Sequence, residues 1–346
     1  MNQLTSILIL AATYVGTVVG AGFSTGKEIV TFFSLNGALG TIGIAITGFL
    51  FIVVGSKIMI ISARIQAYSF QEFNVYIFGI KVGKIVNILI FIVVVCVTSV
   101  MLSGAGAVFH EQLGLPYQMG IITTLFLCYI VILKGLKGIF AINSYTVPLM
   151  IIFSLFVAVA IFGKQPHLLL EQVIPDQLSA DLSWAVSPFT YAAFNLMTAQ
   201  VVLVPLGNEI RDERILRWGG FWGGLVLFFI LLTNHFSLSV FPETFSHEIP
   251  MADIVKRFGT FIHVLFLFVI YGEIFNSVVG NIFGVTRQLK STFGLRYHHA
   301  VLLIMLVIFL ISQAGYGKLV SVLYPLFGYM SLFALVVLLI KKIPER

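Results

Sequence analysis

Apolar runs long enough to cross a bilayer recur along almost the whole chain. A spanning helix needs roughly 20 mostly apolar residues. By that measure the runs near residues 5–35, 38–62, 84–110, 117–134, 139–163, 183–208, 215–240, 260–286, 298–314 and 317–340 predict ten membrane helices. Polar positions are confined to short connections, with two exceptions. The first run is interrupted by "VVGAGFSTGKEI" (residues 18–29), where two glycines are followed by Ser24, Thr25, Gly26, Lys27 and Glu28. The sixth carries Asn195, Thr198 and Gln200 in mid-segment, with Pro205 beyond. Spans 1 and 6 hold matching places if the chain divides into two sets of five. An odd number of spans per half gives the halves opposite orientations, and interrupted first helices in two such halves point to a transporter site at the midplane. Local echoes support the division: Thr13-Tyr14 with Thr190-Tyr191, and "GKEI" at 26–29 with "GNEI" at 207–210.

Composition agrees with this class. Hydrophobic residues make up 59% of the 346 and charged residues 10%, against about 25% charged in soluble domains. The net charge of +6 is a topology signal. With both termini cytoplasmic, 15 of the 20 Lys and Arg residues fall on the inner side, the bias that orients membrane helices. The first apolar run lacks the basic flank and cleavage site of a secretory leader. The expected organisation is a first five-helix repeat over 1–163, an extracellular connection over 164–182, a second repeat over 183–340 and a cytoplasmic tail at 341–346.

The interruption in span 1 has a physical reading. Backbone groups in hydrocarbon must be paired, so unwound chain is tolerated only where it lines a cavity. Unwinding at Gly20–Gly22 frees amides, which suit an anion at the start of the second half-helix, and carbonyls, which suit a cation. The competing reading is that the glycines only allow close helix packing. For a solute, the candidates are the backbone of Gly20, Ala21, Gly22 and Phe23, with Phe194, Asn195 and Thr198 on span 6 and Ser99 and Ser103 on span 3. Each serine has the alternative of an interhelical hydrogen bond, and Phe194 that of facing lipid. Span 6 carries no acidic residue to hold a cationic side chain, which favours a small zwitterion, a neutral amino acid above others. Glu273, mid-span in "VIYGEIFNSVVGN", is a functional candidate because burying its charge costs at least a few kcal/mol. It either carries a proton, neutralises a bound cation, or is a protonated group bonded across helices. Lys27 and Glu28 are about 100° apart on a helix and cannot share a face.

"GAGFSTGKEI", with the ten-span plan, resembles the YkvI-type bacterial membrane proteins, a branch of the amino acid-polyamine-organocation transporter superfamily. Its G-x-G signature falls on Gly20-Ala21-Gly22. The resemblance implies an all-α, LeuT-like five-plus-five inverted repeat with helices 1 and 6 broken at the midplane. It also implies cation-coupled secondary transport in the bacterial cell membrane. Sodium-coupled relatives use carbonyls late in the first half of helix 1 and a hydroxyl pair on helix 8. These correspond to Gly16 and Val19 with Asn276 and Ser277, where Asn replaces the usual hydroxyl. The resemblance likewise points to Lys27 as an outer-gate residue, with Glu28 beside it, although no acidic partner occurs on span 10. A structural ion pair is the other reading of the two.

Other chemistry is thinly supported. The histidines lack metal-ligand spacing, and Cys96 and Cys128 lie inside apolar runs. No nucleotide-binding glycine loop, nucleophile–base pair or nucleic-acid footprint is evident. No resident cofactor beyond a bound sodium ion is expected. The partners are a small solute and lipid, and oligomeric state is open. A channel or a non-transporting sensor on the same fold are the alternatives. The segment at 246–259 has the length of a short external helix over the vestibule.

Overall fold

The computed structural model describes residues 3–134, 136–163, 183–247, 249–294, 296–313 and 316–345. The connection expected at 164–182 lies outside them. Helices account for nearly all the rest. The first apolar run forms three pieces, α1 (Gln3–Val18), α2 (Ala21–Ser24) and α3 (Lys27–Phe32). Then follow α4 (Ala38–Ile65), α5 (Phe70–Phe78), α6 (Ile80–Gln112), α7 (Tyr117–Ile132), α8 (Leu136–Phe162) and α9 (Ser183–Ile210). The remainder are α10 (Glu213–Ser239), α11 (Pro250–Lys256), α12 (Thr260–Phe293), α13 (Tyr297–Ser312) and α14 (Tyr316–Ile340). Among the described residues five helices are long and apolar enough to cross a membrane, α4, α6, α9, α10 and α12, and shorter apolar helices occupy the other five expected spans. Apolar side chains face outward on many of them, among them Phe49, Ile88, Phe126, Phe268 and Leu310. Such surface needs a lipid solvent.

The packing pairs helices across the two halves. The helix α1 lies against α10 and α8, while α9 lies against α4 and α14. The helix α6 contacts α13 and α14, and α12 contacts α7 and α8. Small residues make the closest approaches possible. Gly219 and Gly223 of α10 pack on Leu10 and Tyr14 of α1; Gly220 and Gly224 pack on Ser56 and Ile52 of α4. This is the small-residue interface that membrane helices use in place of hydrophobic burial. A π-helical turn at Phe51–Gly55 loosens α4 there. Its Phe51 carbonyl accepts from the Tyr14 hydroxyl at 2.8 Å.

One expected feature is absent. The helix α9 runs unbroken from Ser183 to Ile210, through the region expected to unwind. No glycine occurs in it before Gly207. The polar side chains of Asn195 and Thr198 bond within their own helix. Asn195 Nδ2 donates to the Tyr191 carbonyl at 3.0 Å, and Thr198 Oγ1 to the carbonyls of Phe194 and Asn195 at 3.1 and 3.0 Å. Only helix 1 of the expected pair is broken.

Candidate functional site

Helix 1 stops where its glycines begin. The amide of Val19 still reaches the Val15 carbonyl at 2.8 Å, but Val19 and Gly20 are non-helical. The chain restarts as α2, whose Ser24 amide donates to the Gly20 carbonyl at 2.9 Å. A second break at Thr25–Gly26 separates α2 from α3, with Gly26 in the left-handed region at φ 83°. The first amides of a helix have no intrahelical acceptor, so Ala21, Gly22 and Phe23 present donors at the break. Phe23 is itself fully buried.

Gly20 and Gly22 are both crowded, by different neighbours. At Gly20 a Cβ would collide with the Met101 methyl of α6, with Ser277 Oγ 3.6 Å away. At Gly22 it would collide with the carboxyl of Glu28. Glu28 is thus turned inward, with one carboxylate oxygen accepting from the Tyr191 hydroxyl at 3.2 Å. Tyr191 is enclosed by the rings of Phe32, Phe33 and Phe51, with centroids 5.1, 5.0 and 6.3 Å away. Phe194, one turn along α9, is buried and tilts against Tyr324 at 4.9 Å.

The break meets α12 on another side. Ser277 Oγ donates to the Val19 carbonyl at 2.5 Å, which joins two of the four residues expected around a cation. Gly16 is buried in the last turn of α1, and Asn276 is buried beside Ser277. Glu273, one turn earlier, is fully buried, and neither of its carboxyl oxygens has a hydrogen-bond partner among the described residues.

Other candidates are directed elsewhere. Ser103 Oγ is 2.6 Å from the Tyr117 hydroxyl, which donates to the Ser312 carbonyl at 3.2 Å. It therefore ties α6 to α7 and α13 and is not in the group around the break. Ser99 donates to the Val95 carbonyl of its own helix at 2.8 Å. Lys27 leaves Glu28 and reaches outward, its ammonium donating to the carbonyls of Phe245 and His247 at 2.9 Å each. The segment it holds belongs to a cover over the break. The helix α11 completes that cover: the Met251 amide donates to the Thr25 carbonyl at 3.0 Å. A Cβ on Gly26 would stand 2.7 Å from Met251 Cγ. Arg257 and Glu243, 2.7 Å apart, tie the ends of the cover. A backbone amide, and then Arg257, hold the Glu243 carboxyl below its usual range.

Met101, Tyr191 and Tyr324 are the site neighbours that sequence reasoning missed. Tyr191 alone left a trace, through its echo of Tyr14. Met101 is one apolar residue among many.

No family model matches the chain. It is 45% identical over 338 residues to the membrane protein YkvI of Bacillus subtilis (strain 168), covering 97% of this chain and 96% of that one. It is 24% identical over 332 residues to protein YyaD of the same organism, covering 96% and 95% of the two chains. Among solved structures, it resembles MhsT in complex with L-phenylalanine (TM-score 0.75, 14% identity, 95% of this chain and 88% of that one). It also resembles a Na+-coupled sialic acid symporter (TM-score 0.72, 12% identity, 97% and 79%). A manganese transporter of Eremococcus coleocola matches as well (TM-score 0.67, 15% identity, 97% and 78%). At those identities the structural likeness establishes a shared fold, that of LeuT-like transporters. The sequence identity to YkvI, extending over nearly the full length of both proteins, establishes more: this chain belongs to the YkvI family of multi-pass membrane proteins.

Proposed function

We propose that the chain is a secondary active transporter working by alternating access, which takes up a small zwitterionic solute with a coupled cation. A neutral amino acid is the favoured solute and sodium the favoured ion. The observation that carries the reading is the meeting of the Val19 carbonyl with the Ser277 hydroxyl at the helix 1 break. A carbonyl freed by unwinding and a hydroxyl from a second helix are hard oxygen ligands of the kind sodium takes. The amides of Ala21–Phe23 stand beside it to receive a carboxylate. The pairing of α1 with α8 and α10, matched by that of α9 with α14 and α4, supports the inverted five-plus-five plan. The basic inner loops support cytoplasmic termini. The folds of a Na+-coupled symporter and of a protein holding L-phenylalanine support this class of solute and ion.

A second reading of the ion rests on Glu273. A buried carboxyl whose oxygens lack hydrogen-bond partners among the described residues is suited to carry a proton. Reconstitution separates the two. Sodium coupling requires uptake of labelled amino acids into proteoliposomes to follow an imposed sodium gradient at equal internal and external pH. Uptake that follows a pH gradient alone, and is lost in Glu273→Gln but kept in Ser277→Ala, replaces sodium by the proton. The absence of saturable, gradient-driven uptake of any amino acid removes the reading as a transporter of this class.

A further inference from the structure

We propose that Glu28, held by Tyr191 above Gly22, is the counter-group for an ammonium on the transported solute. The proposal rests on the reading of the helix 1 break as the solute site. The carboxyl is buried, and no Lys, Arg or His forms an ion pair with it among the described residues. A carboxylate withdrawn from water in this way is unfavourable unless a positive charge or a proton joins it. One oxygen has the Tyr191 hydroxyl at 3.2 Å. The carboxyl also occupies the space that only a glycine at position 22 leaves open. It therefore borders the freed amides directly.

The surroundings fit an organic cation. Three phenylalanine rings, those of Phe32, Phe33 and Phe51, pack on the Tyr191 ring that bonds the carboxylate, an apolar setting in which a carboxylate gains from a cationic partner. Tyr324 packs on Phe194, one turn along α9 from Tyr191, and its buried hydroxyl has no hydrogen-bond partner among the described residues. That hydroxyl is free to accept from an N–H. A buried carboxylate beside Gly22, next to the amides freed at the break, offers a partner for the ammonium end of an amino acid. Sequence alone showed no acidic residue on span 6 to hold a cationic group. The second break at Thr25–Gly26 brings one in from α3.

The test uses the full-length protein in detergent, as wild type, Glu28→Gln, Glu28→Asp, Tyr191→Phe and Gly22→Val. Thermal shift and equilibrium binding are measured against the twenty amino acids, their des-amino carboxylic acids and their decarboxylated amines. At least one amine-bearing compound is expected to stabilise the wild type, while its des-amino partner does not. Glu28→Gln should weaken that compound about tenfold or more, the loss expected for one charge-assisted hydrogen bond. Glu28→Asp and Tyr191→Phe should fall between. The ligand-free melting temperature of Glu28→Gln, at or above wild type, shows that folding is retained. Equal affinity in wild type and Glu28→Gln overturns the proposal, as does equal binding of amino and des-amino forms. If Gly22→Val loses binding in either of those cases, the site at the break stands and only the role of Glu28 falls. If Gly22→Val also binds normally, the site itself is misplaced. Binding of no amine-bearing compound to the wild type overturns both.

Discussion

At the scale of single residues, the helix 1 break depends on what two glycines leave out. Any side chain at position 20 meets Met101, and any at position 22 meets the Glu28 carboxyl. Gly22→Val is therefore expected to abolish solute binding while the protein still reaches the membrane at near wild-type yield, read by surface labelling and thermal shift. Ser277 makes a different prediction. Its hydroxyl both bonds the Val19 carbonyl and, in the proposal, faces sodium. Ser277→Ala should cost about 1 kcal/mol in salt-free buffer, a typical net value for one hydrogen bond. It should also erase the excess stabilisation by sodium over potassium. A sodium-specific shift that survives the substitution would place the ion elsewhere. The sequence displayed the glycines, Ser277 and Glu28 but not their partners. Glu28 read as an outer-gate residue only through the resemblance, as the neighbour of Lys27. The left-handed turn at Gly26 starts a new helix and turns the carboxyl back to Gly22, and a glycine in sequence does not announce which way the chain will turn.

At the scale of elements, helices 1 and 6 show what a polar residue in an apolar run does and does not reveal. Both runs looked interrupted. Glycines at 20, 22 and 26 remove the side chains that favour helix, and the helix yields at two places. Asn195 and Thr198 instead spend their hydrogen bonds on carbonyls three and four residues back, and the helix persists. Sequence shows that a donor is present; whether the acceptor lies in the same helix or another depends on the fold. The α1–α10 seam offers a test of packing. Gly223 lies against Tyr14, where an added Cβ would stand 2.6 Å from Cδ1. Gly223→Leu should therefore overpack the seam and lower stability by about 1–3 kcal/mol, read as a fall in melting temperature in detergent. Tyr14→Phe should cost a similar amount by leaving the Phe51 carbonyl of the π turn without its donor. An unchanged melting temperature in both would mean that this seam is not where the helices hold together.

At the scale of the whole molecule, the apolar helical runs were legible because membrane thickness sets a length that sequence displays directly. Among the described residues five are long and apolar enough to cross, while shorter apolar helices stand at the other five. Most expected boundaries fall within four residues of the helices observed. The segment at 246–259 was expected as a short external helix, and α11 (Pro250–Lys256) lies within it. Its attachment was not legible, because it runs through backbone groups. The Thr25 carbonyl takes the Met251 amide, and the carbonyls of Phe245 and His247 take Lys27. If the cover must lift for a solute to enter, a disulfide between cysteines introduced at 25 and 251 should block uptake, and dithiothreitol should restore it. Unimpeded uptake in the crosslinked protein would assign entry to another face.

Helix 1 belongs to two mechanical bodies at once. Its first segment is seated mainly on α10 and α8, whereas α2 is seated on α12 and α6. Val19 and Gly20 alone join them. Any relative tilt of those two groups of helices is taken up by the torsions of two residues, like a universal joint in a drive shaft. In the proposed alternating-access cycle, a tilt at that joint leaves the turns of α1 and α2 intact but moves the Val19 carbonyl that Ser277 bonds. The same two residues set the limit on how far the shaft can swing. On this view the length of the joint is a tuning parameter: an inserted residue would add slack between the two bodies, and a deleted one would bind them together.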